Sequence, residues 1–198
     1  MNKIALPLAF LLTCAPLAQA NTFADKLDQA ALARLNAKVR YDGRYVRIPY
    51  PNGDVPADMG VCTDVVIRSY RSLGIDLQAL VHQDMAKHFA LYPSQRLWGL
   101  SRADTNIDHR RVPNLQVFFQ RHGQALGVSN DPANFRPGDL VTWMLPGRLP
   151  HIGIVTHRKT SAGVPLIVHN IGRGPELSDA LFAYDMTGHY RYRPKRQR

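Results

Sequence analysis

Cysteine is scarce in this chain, with only Cys14 and Cys62 among 198 residues. Cys14 lies in a leader-like stretch: a basic start at Asn2-Lys3, a mostly apolar run from Ile4 to Leu17, and the A-x-A sequence Ala18-Gln19-Ala20. That order marks a secretory signal peptide over residues 1–20, with an apolar run too short and wrongly flanked for a spanning helix. A lipoprotein signal using Cys14 is the lesser alternative, because Thr13 stands where a smaller residue is expected. Once the leader is removed Cys62 has no partner, which excludes a disulfide scaffold and leaves a lone thiol in a compartment that favours oxidation. Such a thiol is either buried and inert or kept for its reactivity. A second lack is any later apolar stretch long enough to cross a bilayer, so the expected product is periplasmic or secreted, without stable membrane insertion. Acidic residues are also few, 15 against 25 Lys and Arg, for a net charge of +10; loss of Lys3 with the leader leaves about +9. The excess, part of it in the tail from Arg191 to Arg198, suits attraction to anionic envelope polymers or lipid headgroups, or serves only as a solvated terminus. No nucleic-acid-binding motif accompanies it, so nucleic acid is not an expected partner.

Internal repeats and low-complexity segments are absent as well, which excludes a solenoid. The length suits one domain, taken here as residues 21–198. Phe23, Leu27, Ala30, Ala31, Leu35 and Val39 follow a helical spacing, with Asn21-Thr22 as capping side chains before them. Tyr41 to Pro56, rich in Tyr, Pro and Gly, reads as an extended stretch. Further helices are expected over Cys62–Leu73, stopped by Gly74, over Asp76 to about Leu91, and over Asn114–Gly123. After Pro132 the texture changes to short runs rich in β-branched residues: Leu140–Leu145, Ile152–Thr156 and Leu166–Ile171, with Phe182–Tyr184 and His189–Tyr192 as further candidates. Helices first and strands afterwards predict an α+β fold with an antiparallel sheet, the stretch from about 75 to 134 forming a helical insert.

Gly60-Val61-Cys62-Thr63-Asp64 places the lone thiol at the first turn of a helix. Unpaired N–H groups there favour thiolate and suit stabilisation of an oxyanion. Asp64 caps that turn in this reading, and its charge opposes the thiolate. A thiolate nucleophile needs a base close in space. Of eight histidines, His82, His88 and His122 fall within expected helices. His151 opens the run His151-Ile152-Gly153-Ile154-Val155, and His169 ends the run Leu166-Ile167-Val168-His169. If the two runs form a hairpin, the start of the first meets the end of the second. His169 would then orient His151, with Asn170, on the opposite face of a regular strand, as second choice.

These stretches carry a resemblance. A helix-borne cysteine, a Pro-Gly-Asp-Leu-Val strand (Pro137 to Val141), His-Ile-Gly-Ile-Val and a strand ending in His together resemble the NlpC/P60 branch of papain-like cysteine peptidases. In finer detail Gly60–Asp64, Ile107–Asn114, His151–Val155 and His169-Asn170-Ile171-Gly172 are similar to the DUF1287 family, over roughly Tyr41 to Tyr192. The likeness implies a papain-like, NlpC/P60-type fold. It also implies hydrolysis of an amide in cell-wall peptides, with Cys62 as nucleophile, His151 as base and His169 as orienting residue. The chain departs from typical NlpC/P60 members, which have Asp-Cys-Ser-Gly where Val61-Cys62-Thr63-Asp64 stands here, and in its long stretch from Ile75 to Asn134.

That stretch holds Asp104, Asp108, His109, Arg110 and Arg111. Arg110 and Arg111, with Asp108 and Asn170, are the expected substrate-binding set, since paired arginines suit a carboxylate of a peptidoglycan stem or other envelope acyl substrate. An Asp–Arg network pinning the stretch to the core explains the same residues equally well. Tyr41, Tyr45 and Tyr50 are all candidates for a second oxyanion donor. No cofactor and no metal is expected: a zinc site from Asp108, His109, His151 or His169 would lack both H-E-x-x-H and paired cysteines. A non-catalytic wall-binding module and an acyltransferase on the same fold remain as alternatives to a hydrolase.

Overall fold

The computed structural model describes residues 22–194. The expected leader, its cleavage after Ala20, the lipidation alternative at Cys14 and the end of the basic tail lie outside them.

Helix α1 (Phe23–Ala33) starts in a reciprocal cap: Thr22 Oγ1 accepts the Asp25 N–H at 3.2 Å, and the Asp25 carboxylate accepts the Thr22 N–H at 2.8 Å. It stops short of Val39. A 3₁₀ turn over Arg34–Asn36 releases the chain, so that β1 (Arg40–Tyr41) runs parallel to β2 (Met59–Gly60), just ahead of α2 (Cys62–Arg71). Every residue of α2 from Cys62 to Tyr70 is buried, and the chain leaves it through Gly74 at φ 77°, a left-handed conformation that suits glycine. The stretch that follows holds α3 (Leu77–His88), α4 (Ser94–Trp98) and α5 (Val112–His122). Asp76 caps α3 by accepting the Ala79 N–H at 3.2 Å.

Six strands form one sheet: β3 (Gln124–Ala125), β4 (Leu140–Leu145), β5 (Leu149–Lys159), β6 (Pro165–His169), β7 (Glu176–Ser178) and β8 (Asp185–Arg191). Their order is β3-β8-β4-β5-β6-β7, and every neighbouring pair is antiparallel. The chain is therefore α+β, N-terminal helices packed on a C-terminal antiparallel sheet. One run expected as a strand, Phe182–Tyr184, is instead a turn. It follows Leu181, whose carbonyl accepts the Trp143 indole N–H at 3.0 Å; Tyr184 packs partly buried against the Trp143 cluster, while Phe182 stays exposed. The strand in that region is β7, which pairs with β6.

Alternation along the strands gives each face its own core. Ile152, Ile154, Leu140 and Val168 join α1, α2, α3 and α5 in one cluster, which includes Cys62. Val141, Trp143, Val155 and Ile167 face the other way and pack under Phe135, Ala180 and Leu181. No helix among the described residues is long and apolar enough to cross a membrane.

Candidate active site

Cys62 is the first residue of α2, and the turn is organised by Asp64, whose carboxylate accepts the Val61 N–H at 2.7 Å. Pairing of β5 with β6 runs from Ile154 onward. Ahead of it, the Ile152 N–H lies close enough to the Cys62 sulfur to favour its thiolate form. The nucleophile candidate thus abuts the backbone of the residue next to His151, although it makes no hydrogen bond to that imidazole. The thiol is 4% exposed. Burial pushes it up to about 12, and Asp64 pushes the same way, against the N–H groups of Ile152, Thr63 and Cys62. The first-turn position alone suggests the opposite shift; desolvation wins because the helix packs the sulfur into the core.

The hairpin expected for the two histidines forms. His151 Nε2 and His169 Nδ1 lie 2.8 Å apart, with the rings nearly perpendicular at 80°. Gly153 makes room for this. A Cβ there would stand 2.5 Å from Ile167 Cγ2 and 3.2 Å from His169 Cβ. Both imidazoles are buried, which lowers His151 to about 3, helped by the neighbouring His169, and His169 to about 4. At neutral pH the site therefore holds a thiol and two neutral imidazoles. His169 reaches further, to Ser178 Oγ at 2.6 Å and towards Glu176 Oε1 at 3.8 Å, both on β7. Neither was among the sequence candidates, because the turn-rich stretch from Gly172 to Pro175 gives no hint that the chain returns beside β6.

The other candidates separate. Asn170 is fully buried and organises the loop after β6. Its Oδ1 accepts the N–H groups of Gly172 and Gly174, and its Nδ2 donates to Gly60 O at 3.5 Å. It lies against the turn that carries Cys62, not against His151. Arg110 is buried in a bidentate pair with Asp64, 2.9 Å on each arm, and also donates to the carbonyls of Asp42 and Arg44. That is the pinning network, and it leaves Arg110 no free donor edge for a substrate carboxylate. Arg111 pairs with Asp108 at 3.3 Å and stacks over Trp98 at 4.1 Å. Asp108 is buried and capped over its own turn, accepting the Asp104 N–H. Asp108 and His109 sit on a 3₁₀ turn beside α3 and α5, away from the histidine hairpin. Among the described residues no three His, Cys, Asp or Glu side chains converge as a metal site.

Of the three tyrosines, Tyr41 is the one near Cys62. It pairs with Gly60 across β1 and β2, and its phenol is raised by burial and then by the nearby Cys62 and Asp64. Tyr45 is held by Asp104 and Asn106, and Tyr50 packs edge-on against His82 at 5.0 Å. An open groove of about 550 Å³ between Tyr92, Arg96, Gln116 and Tyr190 includes none of these residues.

Comparison with known proteins places these features in a family. The chain is 49% identical over 174 residues to the uncharacterized protein YijF of Escherichia coli (strain K12), covering 88% of this chain and 83% of that protein. A solved structure of NlpC1 from Trichomonas vaginalis is similar at a TM-score of 0.45 and 16% identity, over 88% of this chain and 46% of that one. The chain thus spans less than half the length of that solved protein. The model of the family described as "Domain of unknown function (DUF1287)" matches residues 28–192, and the chain belongs to that family.

Proposed function

We propose that this protein is an exported thiol hydrolase that cleaves an amide bond in envelope peptides, with peptidoglycan stem peptides as the substrate class. Export rests on the leader-like residues 1–20, and the substrate class on the resemblance of the Cys–His–His order to NlpC/P60 peptidases. The observation that carries the chemistry is the meeting of three elements. The α2 start and the β5 start touch through Cys62 and the Ile152 N–H, and the β6 end holds His151 through His169.

In this reading Cys62 is the nucleophile and His151 its general base. His151 Nε2 is engaged by His169, which leaves Nδ1 to take the thiol proton as sulfur attacks the carbonyl carbon. Because the resting pair is neutral, deprotonation accompanies attack instead of preceding it. The N–H at the start of α2 and the Tyr41 hydroxyl receive the oxyanion in the same reading. His151 then returns the proton to the leaving amine, and water repeats the sequence on the acyl-enzyme. An amine or hydroxyl acceptor in place of water would make the same site an acyltransferase.

One observation favours a second reading, a non-catalytic wall-binding module: the thiol is almost wholly covered, with its titration displaced upward. Incubating mature protein with purified muropeptides beside Cys62→Ala, and reading the products by mass spectrometry, separates the two. A new fragment that requires the thiol supports hydrolysis and names the bond. Unchanged muropeptides that nevertheless co-sediment with the protein support the binding module.

A further inference from the structure

The histidine pair has one proton to place between its rings, and two arrangements satisfy the 2.8 Å contact. In the first, His151 donates from Nε2 to a bare Nδ1 on His169, and His151 Nδ1 is bare. In the second, His169 donates from Nδ1 to a bare Nε2 on His151, whose own Nδ1 then carries the proton. Only the first leaves His151 Nδ1 bare and able to act as a base. The pair itself does not choose between them. The choice is made at the far side of His169.

There β7 lays two side chains on the face that carries His169. Glu176 is directly opposite it in the ladder, and Ser178 is two residues along. Ser178 Oγ lies 2.6 Å from His169 Nε2, and Glu176 Oε1 lies 3.8 Å from the same nitrogen. A hydroxyl can accept or donate, so Ser178 holds the proton on Nε2 only together with a charge that sets its direction. A carboxylate beside Nε2 breaks the tie: it attracts an N–H and repels a bare nitrogen lone pair.

Resting on the hydrolase reading above, we propose that Ser178 and Glu176 are positioning residues that hold the His169 proton on Nε2, and thereby keep His151 Nδ1 bare for the Cys62 proton. When the thiol is consumed the S–H bond breaks and an N–H bond forms at His151 Nδ1. The resulting imidazolium still donates from Nε2 to His169, so no other proton moves. Behind the nucleophile stand His151, then His169, then Ser178 and Glu176 side by side at the same His169 nitrogen.

The test reads proton positions directly. In protein labelled with ¹⁵N-histidine, long-range ¹H–¹⁵N correlations at neutral pH report which nitrogen of each ring is protonated. The expected result is Nε2–H and bare Nδ1 for both His151 and His169. Ser178→Ala and Glu176→Gln should each convert His169 to a mixture of tautomers, and Ser178→Thr should restore the single form. On a cleaved muropeptide, Ser178→Ala should lower kcat about tenfold with KM unchanged, the scale of losing an outer orienting partner. A protonated Nδ1 on His169 in the unaltered protein, or tautomers indifferent to both substitutions, overturns the proposal. The spectra need no substrate, so the tautomer result stands apart from whether any muropeptide is cut. Glu176 is partly exposed on an edge strand, so its variant keeps the test in force should Ser178→Ala fail to fold.

Discussion

At Cys62 two influences on acidity oppose each other, and their balance decides how the residue can work. The helix start and the Ile152 N–H favour thiolate; burial and the Asp64 carboxylate favour thiol and prevail. Alkylation of the native protein should therefore be slow at neutral pH and keep rising to about pH 9, the ordinary thiol range, without a plateau. A plateau between about pH 6 and pH 8 would mean a resting thiolate–imidazolium pair instead. His151 runs the same way: lowered to about 3, its neutral form persists well below the usual histidine range. Turnover should then show no acid limb near about pH 6.5, and a limb there would mark a more exposed base. Cys62→Ala and His151→Ala should abolish turnover with folding intact, while His169→Ala costs less, since orientation is a smaller contribution than attack or proton transfer. That Cys62, His151 and His169 are candidates is legible from residue type and order, and the hairpin that joins the two histidines is observed. The direction of the thiol shift is not legible there, because local position announces a helix start while burial depends on what packs over it. Tyr41 was one of three equal candidates for the same reason: only the pairing of β1 with β2 brings it to Cys62.

Between elements, the site depends on two joints. The first is the β5–β6 hairpin, where Gly153 gives up its side chain so that Ile167 and His169 can close on it. Gly153→Ala should cost about 1–3 kcal/mol by overpacking and force His169 away from His151. Chemical denaturation measures the first effect and turnover the second; a variant equal to the parent in both would deny the glycine this role. The second joint is Arg110, which ties Asp64 on α2 to the backbone carbonyls of Asp42 and Arg44. Arg110→Met strands a buried carboxylate next to the turn that carries Cys62. It should cost about 3–5 kcal/mol, much of it recovered in the double variant with Asp64→Asn. The hairpin could be read from two β-branched runs and their turn, but β7 could not. Glu176-Leu177-Ser178 carries no strand composition and is extended only because β6 offers it an edge. Phe182–Tyr184 erred in the other direction, since aromatic residues mark burial against a sheet as readily as membership of one. Two adjacent arginines likewise say nothing about which will be buried; the fold took Arg110 inward and left Arg111 on Trp98.

Across the whole molecule, the order of helices before strands was visible because it depends only on periodicity, and the two cores follow from strand alternation. What periodicity cannot reveal is how much titratable chemistry the cores enclose. His109, His151 and His169 are all buried and lowered by desolvation, to about 3, 3 and 4. Each takes up its proton at the ordinary histidine value once unfolded, so below about pH 6.5 the unfolded chain binds more protons than the folded one. Stability is then complete above that value and falls as pH drops towards the folded values, at up to about 1.4 kcal/mol per pH unit for each group. Asp84 and Asp139, held low by their partners (Arg121 and Tyr92 for the first, His189 and Arg191 for the second), lose their contribution only in more acid solution. Asp108, raised by burial, works slightly against the trend. The melting temperature should therefore decline between about pH 7 and pH 5, before the paired carboxylates titrate. His169→Gln, which cannot take up a proton, should flatten that decline by one group's share. A melting temperature constant over this interval would mean that the histidines are open to water, and the closed site around His151 and His169 would have to be abandoned with it.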